Sequence, residues 1–328
     1  MTEISVAVPE KQSASPLTDS GLGRGLTGPP VPDALSVDVE DYFHVEAFRD
    51  RIHPETWPFY PSRVVENTRR VLDLLSRHKA RATFFVLGWV AERHPHIVRE
   101  ILAAGHEVGC HSYWHRCVWR LSAEEFRADT RRARAAIQDA GGCAVLGYRA
   151  PSFSIVDRSL WATRILAEEG FLYDSSVFPI HHDVYGMPHA PRSPFRWMDG
   201  KGHLLYEIPP TTVRLRRWNL PAAGGGYLRI LPEPYTNWAI RRVRSEGRSL
   251  VIYFHPWEID TGQPRLKGRV KSRFRHYFHL GKMESRLERI LAVGHFTTLI
   301  EHLEALVGAI HLKSTRFTTP PVVMAKDG

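Results

Sequence analysis

Residues 110–117 read CHSYWHRC, two cysteines and two histidines within eight residues. His111 and His115 stand four apart, the spacing that turns two imidazoles toward one metal ion on a helical turn. A closed structural zinc site needs a second ligand pair of similar spacing, and the remaining cysteine, Cys143, stands alone. Two histidines with one carboxylate and open positions for water make a catalytic arrangement instead. The acids of SVDVEDYF, namely Asp38, Glu40 and Asp41, can supply the third ligand. Cys110 and Cys117 are then expected to be small packing residues beside the site.

Further ionisable groups close other apolar stretches: Arg149 in YRAPSF, Asp174 in YDSS, and His255 with Glu258 in LVIYFHPWE. A lone histidine or arginine is ordinarily a satisfied structural residue. A joint set at the same ends of successive strands is different, because burying several charges without a task is costly. Strand alternation directs Asp38 and Glu40 to one face.

The elements that must position these groups follow a regular rhythm. Strand patterns at 34–39, 81–88, 106–111, 144–151 and 171–177 alternate with helical patterns at 62–78, 94–105, 122–142 and 159–170. Ser122 with Glu125 three residues on is a capping box. Residues 178–226 break the rhythm with many Pro, Gly and His and one expected strand in HLLYEIPPTTVRL. Alternation returns with EPYTNWAIRRVRSEG, SLVIYFHPWE, KMESRLERILAVG and FTTLIEHLEAL. Such units imply an α/β fold with a parallel sheet and right-handed crossovers. About seven units predict a barrel or near-barrel, whose reactive groups lie at the C-terminal strand ends. The expected organisation is a disordered leader over 1–30, one catalytic domain over 31–310 with an irregular insertion at about 178–226, and a flexible tail over 311–328.

The chain has 328 residues, 43% of them apolar, and no apolar run approaches the span of a membrane helix. Its N-terminus lacks a basic start and apolar core, so the expected compartment is the cytoplasm. Three cysteines cannot build a disulfide framework and suit a reducing compartment. The net charge is +9, largely from arginine. The clusters TRRARAA, AIRRVRSEGR and KGRVKSRFRH read as solvated helix faces and one loop. No nucleic-acid-binding signature accompanies them, so no nucleic-acid partner is expected.

The five motifs resemble, in order over roughly 33–300, those of the NodB-type polysaccharide deacetylases. VDVED sits at the paired acid motif, HSYWH resembles the His-[Ser/Thr]-x-x-His motif, and RAPSF the Arg-x-Pro motif. YDSS is similar to the fourth motif and FHPWE to the last, histidine-bearing one. SVDVEDYFHVEAF, AGGGYLRILP and YFHPWEID resemble most the deacetylase-like proteins of exopolysaccharide loci associated with exosortase sorting. The resemblance implies a distorted (β/α) barrel of about seven strands. It implies a divalent metal, zinc by preference, held by His111, His115 and a carboxylate. The family often has adjacent aspartates, but here Val39 intervenes. Glu40 is favoured by the alternation of the strand, and Asp41 stays open as the alternative.

By the same resemblance Asp38 is the catalytic base, Arg149 orients it, and His255 is the general acid with Asp174 as its tuning partner. Ser152 stands where many members have tyrosine, and its backbone N–H matches the oxyanion donor. The implied activity is N-deacetylation of amino sugars in an exopolysaccharide polymer or a lipid-linked precursor, the latter met at the inner membrane face, where the basic surface assists. Trp257 is expected at the substrate, with Trp114, Trp119, Trp218 and Tyr227 as further stacking candidates. Two other readings stay open: a metal-independent amidase on the same fold, and a non-catalytic polysaccharide-binding protein of a synthesis complex.

Overall fold

The structure, a computed structural model, describes residues 13–16, 31–199, 201–222 and 224–308. Its strands are β1 (Ser13–Pro16), β2 (Asp33–Val39), β3 (Thr83–Val86), β4 (Glu107–Cys110), β5 (Gly147–Tyr148), β6 (Tyr173–Asp174), β7 (Phe195–Met198), β8 (Leu204–Glu207), β9 (Thr212–Leu215), β10 (Trp218–Pro221), β11 (Val251–Phe254) and β12 (Phe296–Thr297). The helices are α1 (Val64–Arg77), α2 (Gly88–Arg93), α3 (Pro95–Ala103), α4 (Ala123–Gly141), α5 (Trp161–Glu168), α6 (Gly225–Ile230), α7 (Glu233–Ser245), α8 (Val270–Tyr277), α9 (Leu280–Val293) and α10 (Leu299–Val307).

Strands β8, β6, β5, β4, β3, β2 and β11 lie side by side in that order, all parallel. Every residue of β2 is buried, as a strand covered on both faces requires. Past the end of β8 the Thr211 N–H donates to the Val251 carbonyl (3.0 Å). The Val251 N–H donates in return to the Thr211 hydroxyl (2.6 Å). These bonds curl the sheet nearly shut, and the fold is a distorted (β/α) barrel. Helix α4 shows the expected device at each end: Ser122 and Glu125 form the capping box, and Gly142 closes the helix at φ 65°.

Three expectations change. Residues 178–226 are less irregular than their composition implies. HLLYEIPPTTVRL folds as two strands: β8 belongs to the barrel, and β9 forms a hairpin with β10. Within the leader, Ser13–Pro16 pairs antiparallel with β7 as an edge strand; the rest of 1–30, and the tail from 309, lie outside the described residues. The basic run KGRVKSRFRH, expected as a loop, contains helix α8. Its only buried residue is His276, so no apolar period announced it.

Candidate metal and acid–base site

The strand ends converge as the sequence implies. Asp38 lies in β2 and Glu40 just beyond it, both buried. His111 follows β4 and anchors its N–H on the Val86 carbonyl (3.0 Å). The stretch from 111 to 117 is a loop rather than the helical turn the spacing implied. Ser112 (φ 62°) and His115 (φ 50°) are left-handed there. Asp129 of α4 holds that loop by accepting the Tyr113 N–H (2.8 Å), and the Ser112 hydroxyl accepts the His115 N–H (3.0 Å). Ser152 (φ 54°) and Phe153 (φ 51°) are left-handed too. Four non-glycine residues in a costly conformation beside one site are strain held by the surrounding packing.

One ring nitrogen each of His111 and His115 and one carboxylate oxygen of Glu40 lie within 4.8 Å of one another. His115 Nε2 is 2.6 Å from Glu40 Oε2. That oxygen is buried without a hydrogen bond of good geometry, as an unfilled ligand position would be. His111 Nδ1 meets the Arg149 carbonyl (2.8 Å), which leaves Nε2 for a metal. Burial lowers the His111 pKa to about 4, so its imidazole is neutral, as a ligand must be. Burial alone would raise Glu40, but His115, His255 and His111 outweigh it and hold the carboxylate ionised. Two imidazoles and one carboxylate with an open side fit a divalent ion. Asp41 is elsewhere: it accepts from the Ser62 hydroxyl (2.6 Å) and the Arg63 N–H (2.9 Å), and burial lifts it to about 6.

Asp38 is clamped from the other side. Arg149 Nη1 donates to Asp38 Oδ1 (3.0 Å) and to the Ser36 hydroxyl (2.8 Å). Its Nε and Nη2 donate to the Ser175 carbonyl (3.0 Å) and hydroxyl (2.8 Å). Opposite stands His255, with Nε2 3.8 Å from Asp38 Oδ2 and 3.6 Å from Glu40 Oε1.

The partner of His255 is not Asp174. Its Nδ1 lies 3.0 Å from Glu258 Oε2, and Glu258 Oε1 accepts from Arg229 Nε (2.7 Å). Burial alone would lower His255, but the hydrogen bond and charge of Glu258, with Glu40 and Asp38, raise it to about 9. Burial raises Glu258 less than Arg229 and His255 lower it, to about 2. Asp174 bonds instead with Ser176 and packs against Glu207, and burial pushes it up to about 7. Two buried carboxyls in contact cannot both ionise cheaply, so that pair shares a proton.

Trp257 also differs from expectation. It is buried (5% exposed), too covered to stack on a sugar face, and its indole N–H donates to Glu40 Oε1 (3.1 Å). It positions Glu40, the carboxylate of the His111–His115 cluster. Trp257→Phe keeps the stacked ring but removes that bond, and zinc affinity is expected to fall about 10–100-fold. Competition with a chelating dye measures this; unchanged affinity would refute the role.

The remaining stacking candidates scatter. Trp114 lines a cleft of about 260 Å³ with Trp57, His44, Glu46 and His115. Trp119 lies under Arg158, Trp218 is 45% exposed beside His181, and Tyr227 packs on Phe178. Ser152 shares a hydrogen bond with Cys117, and burial raises the Cys110 and Cys117 thiols, which therefore stay protonated.

Residues 57–167, which contain His111, His115 and Arg149, match the family described as polysaccharide deacetylase. Residues 175–304 match a second family, described as a domain of unknown function. The chain is 35% identical over 100 residues to a peptidoglycan-N-acetylglucosamine deacetylase of Bacillus cereus, covering 30% of this chain and 36% of that one. It is 32% identical over 96 residues to a chitooligosaccharide deacetylase of a Bradyrhizobium species, covering 29% and 44%. It therefore spans less than half the length of these relatives. A solved Mycobacterium smegmatis structure classed with the polysaccharide deacetylases shares the fold, with a TM-score of 0.53 and 22% identity over 92% of this chain and 97% of that one.

His255, Glu258 and Arg229 all lie in the second matched segment, whereas Asp38 and Glu40 precede both. The site is thus composite, and the first matched segment alone does not complete it.

Proposed function

We propose that the chain is a metal-dependent hydrolase that removes N-acetyl groups from amino sugars of a polysaccharide or its precursor. The observation that supports this is that two proton-handling groups, Asp38 and His255, stand 3.8 Å apart beside the His111–His115–Glu40 cluster, with His255 Nε2 3.6 Å from Glu40. Glu40, His111 and His115 would hold a divalent ion, which would supply Lewis acidity to an amide carbonyl and to water, whose pKa such ions lower to about 7.

Asp38, fixed by Arg149, accepts a proton from the attacking water. His255, raised to about 9, carries its proton at neutral pH and gives it to the departing nitrogen. The carbon–nitrogen bond breaks, and acetate and a free amine leave. The backbone N–H of Ser152 is the proposed oxyanion donor.

The named relatives act on peptidoglycan and chitooligosaccharide, which supports N-acetylglucosamine-type sugars as the substrate class. An exopolysaccharide role, zinc as the metal and a cytoplasmic location belong to this same reading. Purified protein, stripped with chelator and reloaded with zinc, is expected to release acetate from N-acetylglucosamine oligomers only when loaded. The His111→Ala/His115→Ala double variant is expected to bind no zinc and release none. Undiminished release by stripped protein would favour a metal-independent amidase, and zinc uptake without release from any acetylated sugar would favour a binding protein.

A further inference from the structure

Helix α8 presents an unusual surface beside the site. Val270 (82% exposed) and Phe274 (54% exposed) stand four apart and so share one helix face. Around them lie Lys267, Arg269, Lys271, Arg273 and Arg275, all exposed. Their acidic neighbours are few. Asp50 reaches Arg269 (3.3 Å), and Asp183 is shared by Lys271 (3.3 Å) and Arg275 (3.6 Å). These pairs are solvated and worth little. Lys267 and Arg273 make no ion pair among the described residues.

The helix is tied to the rim of the cleft. Its one buried residue, His276, stacks on Trp257 (centroids 4.3 Å apart, planes at 12°) and meets Phe48 (5.1 Å). The 3-10 turn Glu46–Phe48 contributes Glu46 to the cleft wall, as the 3-10 helix Pro54–Phe59 contributes Trp57. That second helix ends in Phe59, which is 85% exposed. The segments that line the cleft therefore carry an exposed apolar side chain, Phe59, and the lining itself includes the cations Arg49 and Arg116.

We infer that α8 is a contact surface for an anionic lipid bilayer, holding the mouth of the cleft against the membrane. Cations alone would suit any polyanion. Cations surrounding exposed Val270 and Phe274 match an interface that is anionic at its surface and apolar just beneath. Among the described residues no helix is long and apolar enough to cross a membrane, so the contact is a peripheral one. That the substrate sugar is then presented from a lipid carrier rests on the deacetylase reading; the membrane contact does not.

The test is sedimentation of the full chain with vesicles of phosphatidylcholine, with or without phosphatidylglycerol, at about 0.1 M salt. Wild type is expected to sediment with the mixed vesicles and not with phosphatidylcholine alone. Lys267→Gln/Arg273→Gln should weaken partitioning about 25-fold, roughly fivefold per cation. Val270→Ser/Phe274→Ser should weaken it about tenfold through lost apolar burial. No binding to the mixed vesicles overturns the inference, and so does binding that survives both variants. Loss in the cation variant alone, with Val270→Ser/Phe274→Ser binding like wild type, reassigns the surface to soluble polyanions. All substituted side chains are exposed, so circular dichroism and acetate release from soluble oligomers should match wild type. Sedimentation reads no chemistry, so its failure leaves the deacetylase reading intact.

Discussion

Asp38→Asn is expected to lower kcat/KM for acetate release about 10²–10⁴-fold while the bound metal stays near wild-type stoichiometry. Asparagine matches the shape of aspartate and still offers an oxygen to Arg149 Nη1, so the buried guanidinium keeps its Ser36 and Ser175 bonds and an acceptor at position 38. What it lacks is the ability to accept a proton. Glu40→Gln is the contrasting variant: on the proposed ligand set it removes the carboxylate ligand beside His115 Nε2, and both metal and activity should fall together. Elemental analysis beside initial rates separates the two. Loss of metal in Asp38→Asn would make Asp38 a ligand, and retained turnover would place the base elsewhere.

The part of this division that the sequence carried is the parity of β2. Ser36, Asp38 and Glu40 alternate onto one face, which favours Glu40 over Asp41, and it is Glu40 that the structure puts beside the histidines. The same parity puts Ser36, which helps hold Arg149, on that face, although a serine there carries no signal of its own. Glu258 is legible too, since it stands three residues from His255 across a 3-10 turn, Pro256–Ile259. The motif resemblance points to Asp174 instead, because it says nothing of which carboxylate the fold brings to His255.

Arg229 was not legible. It reaches Glu258 because Gly224, at φ 89°, lets the chain run against β11, where a Cβ would stand 1.7 Å from the Tyr253 carbonyl oxygen. Nothing in AGGGYLRILP says where that close approach occurs. Short strands such as β5 and β6, of two residues each, and the one-residue burial of α8 are likewise set by tertiary contacts, which local periodicity does not encode.

If His255 is the acid, as proposed, the second matched segment holds it and its supports, and Glu258→Gln tests that role. The glutamine keeps a single acceptor oxygen, for His255 or for Arg229, and carries no charge. Glu258 favours the charged imidazolium, so its loss lowers the His255 pKa from about 9, and burial pushes it further down. The alkaline limb of kcat/KM, where the acid loses its proton, should therefore move to lower pH by about one to two units. A divalent ion near Glu40 opposes the imidazolium in both proteins, so the comparison is made at equal metal loading.

Stability should respond in two windows. The raised His255 contributes stability that is full below its unfolded value of 6.5 and is lost as pH rises through about 9. The depressed Glu258 contributes stability present above 4.5 and lost as pH falls toward about 2. The variant should lose both slopes. It should also be less stable near neutrality by about 3 kcal/mol, because Arg229 stays buried without its counter-ion. Carbonyls of Arg275, His276 and Phe278 still accept from Arg229 and keep the loss near the lower end of that class. Urea unfolding across pH reads the two windows, and the rate profile reads the acid. An unmoved alkaline limb in a folded, metal-loaded variant would mean that His255 does not give up the proton that limits turnover.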